Sequence, residues 1–433
     1  MEVEGKASAT TDSVPRHLPP SHLAQADWDE VYQEKEPGSF WVSFRPSVEE
    51  KALYDDVKVS RQGSAVTFDC AQLTASVEWR KRQLTLAPSS QSENKGVLQA
   101  PSSTWKQIHP NQRVLSMDVA PGGELGVSGG SDSTVRVWHT KDGLMRRDLQ
   151  GHVGEINLVK WFPSGKIWDV MTGHCATTLQ GHSGAVTGAV MIDRGRNLIS
   201  TSRDGTALLW DVPTQQPISR YGYIAADNAA NACSLLAGPR PAWCPSGDDQ
   251  QEPSSPVLLV AKEEGSMVSW DVRSKRELFK WKANEALNCC LVADDDVWAG
   301  GQDGTILRWD LRTQSLVETI QRSRAPILSL AMRRDAWTPT LASTEVPLST
   351  EPAPPPADGT ATEAVAPRPP VPQEKTLWVG TGDGLCFEWG VDDKRVHRDL
   401  TGSDCDHINS VVVLNDSAFV ACGDGTIRKY KTL

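Results

Sequence analysis

The nine cysteines of this 433-residue chain include no Cys-x-x-Cys spacing and one adjacent pair, Cys289 and Cys290. Neither a zinc site nor a disulfide framework is indicated, and a reducing compartment is expected. No run of eighteen apolar residues occurs, and the polar N-terminus holds no apolar stretch of signal-peptide length. Both absences predict a soluble protein of the cytoplasm, with the nucleus as a second location. Basic charge is in deficit, with 44 Lys and Arg against 55 Asp and Glu and a formal net charge of −11. That balance argues against a binder of phosphate backbones and favours a basic partner. Tyr and Phe are scarce, five and seven, yet there are sixteen Trp, many at strand ends with regular spacing. Repetition explains that ratio better than general aromatic content does.

The clearest repeat is 179–212, LQGHSGAVTGAVMIDRGRNLISTSRDGTALLWDV. Gly181-His182 opens it, alternating small and apolar residues follow, and a second β-rich run covers 197–202. The Asp204-Gly205 turn then leads into a third run closed by Trp210-Asp211. Three short strands separated by turn residues make an antiparallel meander. A Gly-His start with a Trp-Asp end marks a propeller blade, and the stretch resembles a WD repeat. His182, Ser200, Asp204 and Trp210 are expected to form one chain of buried hydrogen bonds. A Ser, His and Asp would also suit a hydrolase, but the stretch has no Gly-x-Ser-x-Gly elbow or oxyanion hole. The expected role is structural, with no catalytic, metal or cofactor residue anywhere, so the chain is read as a non-enzyme.

Taken in order, residues 1–20 are rich in Ser, Thr, Pro and charge and are expected to be disordered. An N-terminal extension follows over 21–100. Leu23, Ala24, Trp28, Val31 and Tyr32 recur at helical spacing behind Ser21, which predicts a short helix stopped by Pro37-Gly38. Runs at 40–44, 56–60, 65–70, 75–79 and 83–87 predict strands of a small β-rich domain, ending in a polar linker over 88–103.

The propeller is expected over 104–433. In the first repeat His109, Ser128, Asp132 and Trp138 stand where His182, Ser200, Asp204 and Trp210 stand later. The second opens on Gly151-His152 and closes on Trp168-Asp169, but is twelve residues short. A middle strand and its Asp turn are missing at Gly165-Lys166, as a spliced transcript or a misread gene would leave them. Loss of a central strand strands its neighbours' backbone groups, so this blade is expected to be defective. The fourth repeat has Glu264 in the turn, Trp270 at its close and an insertion at 238–256. The fifth has Asp303 and Trp309 without a His. The sixth, with Asp383 and Trp389, is interrupted at 338–375 by a disordered-type segment of Pro, Ala, Thr and Glu. The seventh, with Asp424 and Tyr430, ends after three strands. The β-run just before repeat one supplies the fourth: residues 105–108 are predicted to pair with 426–430. The fold class is therefore all-β, a seven-bladed ring with its second blade truncated.

In such a ring the loop into each innermost strand and the turn before each third strand share a face. That places Glu155, Asp227, Glu263, Glu285, Asp404 and Asp406 together, a cluster suited to a Lys/Arg-rich surface. The runs IDRGRNLISTSRDGTALLWDV, ALNCC at 286–290, APILSL at 325–330 and LTGSDCD at 400–406 resemble the proteasomal ATPase-associated factor family of WD-repeat proteins. The likeness runs from about Trp28 to the C-terminus and departs at the short second repeat and the sixth-repeat insertion. It implies a chaperone of the proteasome regulatory particle, one that binds free AAA ATPase subunits of the base and is absent from the finished assembly. Glu155, Glu285, Asp404 and Asp406 are the expected contacts. A competing reading is a substrate receptor of a cullin-type ubiquitin ligase. WDVR at 270–273 and WDLR at 309–312 resemble the box such receptors use, although Arg there also pairs on ordinary blade rims. No nucleic-acid or membrane partner is expected, and a closed ring predicts a monomer outside complexes.

Overall fold

The structure, a computed structural model, describes residues 16–432 apart from 35, 63–64, 90–93, 162–167, 170–173, 176, 193–195, 223–227, 237–255, 334–373 and 404–405. Among these residues no helix is long and apolar enough to cross a membrane. The repeat is written by its turns. Asp204, Asp303 and Asp424 each accept hydrogen bonds from the N–H and hydroxyl of the Thr two residues on, at 2.6–3.0 Å. The residue between must turn left-handed, and Gly205, Gly265, Gly304, Gly384 and Gly425 do so with φ between 77° and 85°. Ser133 takes the same place in the first blade at φ 62°.

These turns join strands into a ring of blades whose innermost strands are Val114–Val119, Val186–Ile192, Ala230–Leu236, Leu287–Ala293, Ile327–Met332 and Ile408–Leu414. Six blades, the first and the third to seventh, are four-stranded antiparallel sheets at their core. Polar side chains of the inner strands link each sheet to the next: Asn231 donates to the Leu287 carbonyl at 3.0 Å and Asn409 to the Val114 carbonyl at 2.8 Å. Apolar clusters between blades supply the core, such as Ile199, Leu209 and Tyr221 against Leu258, Val260 and Trp270.

The ring is sealed by mixing its ends. Strand Ser103–Trp105 pairs antiparallel with Ile427–Lys431, Trp105 opposite Ile427 and Ser103 opposite Lys429. The closing strand therefore sits a little earlier than the 105–108 expected; Ile108 is instead buried beside Trp105 and Val114. The second repeat departs most from the others. Its described strands are Trp168–Asp169 and His174–Cys175, two residues each. Residues 156–161 are assigned to no strand, yet Val159 and Trp161 donate their N–H groups to Ser116 and Asp118 of the first blade at 3.1 and 3.0 Å.

The N-terminal extension is built onto the propeller. Strands Ser21–Ala24, Gly38–Arg45, Leu53–Gln62 and Ala65–Asp69 form one sheet. Leu73–Glu78, Gln83–Pro88 and Gly96–Gln99 continue blade six into a seven-stranded sheet, Gly96–Gln99 lying parallel to the outer strand Val396–Leu400. Three expectations are corrected here. Ser21–Ala24 is a strand because Val42–Arg45 offers it a ladder, so the helix covers only Trp28–Gln33. The segment 88–103 is no simple linker, since it contains Gly96–Gln99. Of the stretch expected to be disordered, 16–20 is described and Arg16–His17 pairs parallel with Thr319 and Ile320 of blade five; 1–15 lies outside the described residues. The insertions at 238–256 and 338–375 also lie outside them, except for Pro256, Glu374 and Lys375.

The junction is polar and buried. Arg322 pairs with Asp399, with a second contact at 2.9 Å, and donates to the Pro20 carbonyl at 2.7 Å. His22 Nδ1 lies 3.7 Å from Asp399, and Trp28 Nε1 donates to Thr401 at 3.0 Å. Burial works to raise the Asp399 carboxyl, and the Arg322 guanidinium overcomes it and holds the group below its ordinary value.

Candidate partner-binding face

The hydrogen-bond chain of blade three is continuous. Trp210 Nε1 donates to Ser200 Oγ at 2.8 Å, Ser200 lies 2.8 Å from His182 Nε2, and His182 Nδ1 lies 2.9 Å from Asp204. The carboxylate accepts, so Nδ1 carries the proton and Nε2 accepts from the serine. Ser200 is thus buried with its oxygen engaged by an indole, the reverse of an exposed nucleophile.

Blade one repeats the chain with a change. His109 Nε2 lies 2.9 Å from Ser128 Oγ, to which Trp138 Nε1 donates at 3.1 Å. Arg136 donates to both His109 Nδ1 and Asp132, at 2.7 and 2.6 Å, which assigns the opposite tautomer to this histidine. Burial first, then the Arg136 charge, lowers the His109 pKa to about 4. A Gly-x-Ser-x-Gly string does occur around Ser128, at 126–130, but it runs along strand Leu125–Gly130 with Ser128 fully buried.

Blades four to seven lack the histidine and serine and fill the space otherwise. Trp309 stacks on Trp281 with ring centroids 5.3 Å apart. The Trp389 indole nitrogen is buried with no partner among the described residues. Asp383 accepts hydroxyls of Ser323 and Thr381, and Asp424 pairs with Arg428 at 2.6 Å. These groups are structural in position.

Six blades make one further bond in common: the turn before the third strand donates an N–H to the loop that begins its own blade. The pairs are Ser131 to Arg113, Arg203 to Ala185, Glu263 to Ala229, Gln302 to Ala286, Gly382 to Pro326 and Gly423 to His407, at 2.8–3.0 Å. Each turn also abuts the loop into the following blade. A Cβ on Gly265 would stand 2.6 Å from the Glu285 carbonyl, and one on Gly425 2.4 Å from that of Gln112. Turns and loops therefore alternate round one face of the ring.

On that face lie Glu155, Glu263, Glu285 and Asp406; Asp227 and Asp404 lie outside the described residues. Glu263 accepts from Asn231 at 2.6 Å and Glu285 is exposed. Glu155 faces Arg113 at 3.3 Å, both more than half exposed. With Arg203 and Arg324 also exposed, the face carries cations among its carboxylates and is less uniformly acidic than the sequence suggested. Of the two WDxR boxes, Arg312 is held by Asp310 at 3.1 Å and Asp295 at 3.7 Å, an ordinary rim pairing.

The WD domain, G-beta repeat family matches residues 102–139, 173–211 and 394–431. Each match runs from the outer segment of one blade through three strands of the next, the same one-strand offset that closes the ring. The chain is 29% identical to proteasomal ATPase-associated factor 1 of Homo sapiens, covering 94% of this chain and 97% of that protein. It is also 29% identical to that of Gallus gallus, with the same coverage. To the probable proteasomal ATPase-associated factor 1 of Dictyostelium discoideum it is 28% identical, over 98% and 99%. Closed by its own ends and repeating one turn around the ring, the chain carries WD, G-beta repeats and is similar along nearly its whole length to proteasomal ATPase-associated factor 1.

Proposed function

We propose that the chain is a non-enzymatic scaffold that associates with the proteasome, in the cytoplasm and nucleus, by holding AAA ATPase subunits of the regulatory particle before assembly is complete. The observation that carries this is the pairing of end-to-end similarity to proteasomal ATPase-associated factor 1 with loops from separate repeats on one face. A rigid ring supports such loops at fixed spacing, and carboxylates at Glu263, Glu285 and Asp406 favour approach of a Lys/Arg-rich surface. Glu155 is paired with Arg113, but both side chains are more than half exposed, so its carboxylate is open to a partner cation as well. The buried serine and histidine chains serve stability.

The test is capture of proteasomal ATPase subunits by the full chain and by a variant carrying Glu155→Lys, Glu263→Lys, Glu285→Lys and Asp406→Lys. Glu155, Glu263 and Glu285 are exposed and Asp406 is half-buried, so an unchanged urea midpoint in the variant is the control that the fold is retained. The expected result is capture by the unmodified chain, weakened by roughly tenfold or more in the variant and by added salt. Equal capture by both chains would remove this face from the assignment, and no capture by either would remove the proteasomal reading.

A further inference from the structure

We propose that the outer face of the N-terminal sheet is a cleft for a lysine- or arginine-bearing segment of a protein partner. The cleft, of about 430 Å³, is lined by Trp41, Tyr54, Asp55, Asp56, Lys58 and Asp69. It arises from strand alternation. Val57 and Val59 point inward and are buried, so Asp56 and Lys58 stand on the opposite side with Tyr54, and pairing sets Asp56 against Trp41 and Asp69 against Lys58.

Two features single out this face. Tyr54 is 67% exposed and lines the cleft together with Trp41, which leaves aromatic surface in water beside the carboxylates. Beside it, neither Asp56 nor Asp69 forms an ion pair among the described residues, while Asp55 is engaged by the N–H groups of Gln72 and Leu73 at 2.7 and 3.1 Å. Three carboxylates against one ammonium leave the cleft negative. Its dimensions and chemistry suit a cationic side chain whose stem lies on Tyr54 and Trp41 and whose head reaches Asp56 and Asp69. An acidic partner would meet like charge, and a purely apolar one would leave the carboxylates without partners.

Trp41 connects this cleft to the propeller. It also lines a small cavity with Asp383, Gly384 and Ser403, the turn of blade six and the loop into blade seven. The cleft thus borders the face described above, and the inference deepens the proposed function by giving the N-terminal module its own share of a basic partner.

The test uses the full chain and fluorescein-labelled decalysine, followed by anisotropy at low salt and by hydrogen exchange. Tyr54→Ala with Asp56→Asn is compared with Glu263→Lys and Glu285→Lys on the propeller. Decalysine is expected to protect 53–62 and 65–69 from exchange, and the cleft variant to bind roughly tenfold more weakly, as loss of one cation–π contact and one ion pair implies. Affinity within about twofold of the unmodified chain, or no protection at 53–62, would overturn the cleft. Decalysine held at the cleft while ATPase subunits are not captured would overturn only the proteasomal reading.

Discussion

Trp105 and Ile427 face one another across the seam of the ring, 322 positions apart in the chain and direct partners in one antiparallel ladder. The Trp105 ring packs 5.1 Å from Trp138 and 6.4 Å from Phe419, so the seam joins the first blade to the last.

Replacing Trp105 with Ala is therefore expected to remove about 3–5 kcal/mol of stability, the usual cost of emptying a buried aromatic site. Urea unfolding checks it through the midpoint. A chain lacking 1–105 should fare worse, because Ile427–Lys431 then presents an open edge; aggregation on light scattering is the expected sign.

Asp399→Ala leaves the Arg322 guanidinium buried without its carboxylate and is expected to cost about 3–5 kcal/mol. Arg322→Met combined with Asp399→Leu should recover most of that. Limited trypsin digestion adds a second readout: release of the N-terminal module in the single variant and protection in the double one. A double variant no more stable than the single would contradict the account.

Acid stability follows from His109. Its folded pKa, about 4, lies below the ordinary value of 6.5, so the unfolded chain takes up a proton first as pH falls. The contribution is complete above pH 6.5 and is lost progressively towards pH 4, on the order of 3 kcal/mol. His109→Gln should flatten that part of a melting-temperature profile against pH. An unchanged slope would place the acid sensitivity elsewhere.

Ser200→Ala removes the oxygen shared by Trp210 and His182 and is expected to cost about 1–3 kcal/mol, as buried donors lose their partner. A fluorophosphonate reagent should label neither Ser200 nor Ser128, since both oxygens are engaged inside sheets. Labelling of either would reopen a hydrolase reading.

What could be read from the sequence was what is local. The Asp-Gly-Thr turns are decided within three residues, because the carboxylate satisfies the N–H two positions on, and Asp204, Asp303 and Asp424 announce their blades. The short spacing of the second repeat, 16 residues from His152 to Trp168 against 28 from His182 to Trp210, was equally visible as a length. What depends on distant partners was not. Ser21–Ala24 has helical spacing but is claimed by Val42–Arg45, and Gly96–Gln99 becomes a strand only because Asp399 and Leu400 run beside it. The ion pair of Glu155 with Arg113 likewise needed coordinates, since nothing in either residue's neighbourhood names the other.

The parallel pairing of Leu98 with Asp399 has a consequence during synthesis. The hairpin Leu73–Glu78 and Gln83–Pro88 leaves the ribosome early, whereas the strand that anchors it is translated some three hundred codons later. At roughly 5–20 residues per second, the nascent module waits about 15–60 s for its neighbour. During that interval the edge at Gly96–Gln99 lacks its parallel neighbour, so the module completes its sheet only once the outer strand of blade six has been made.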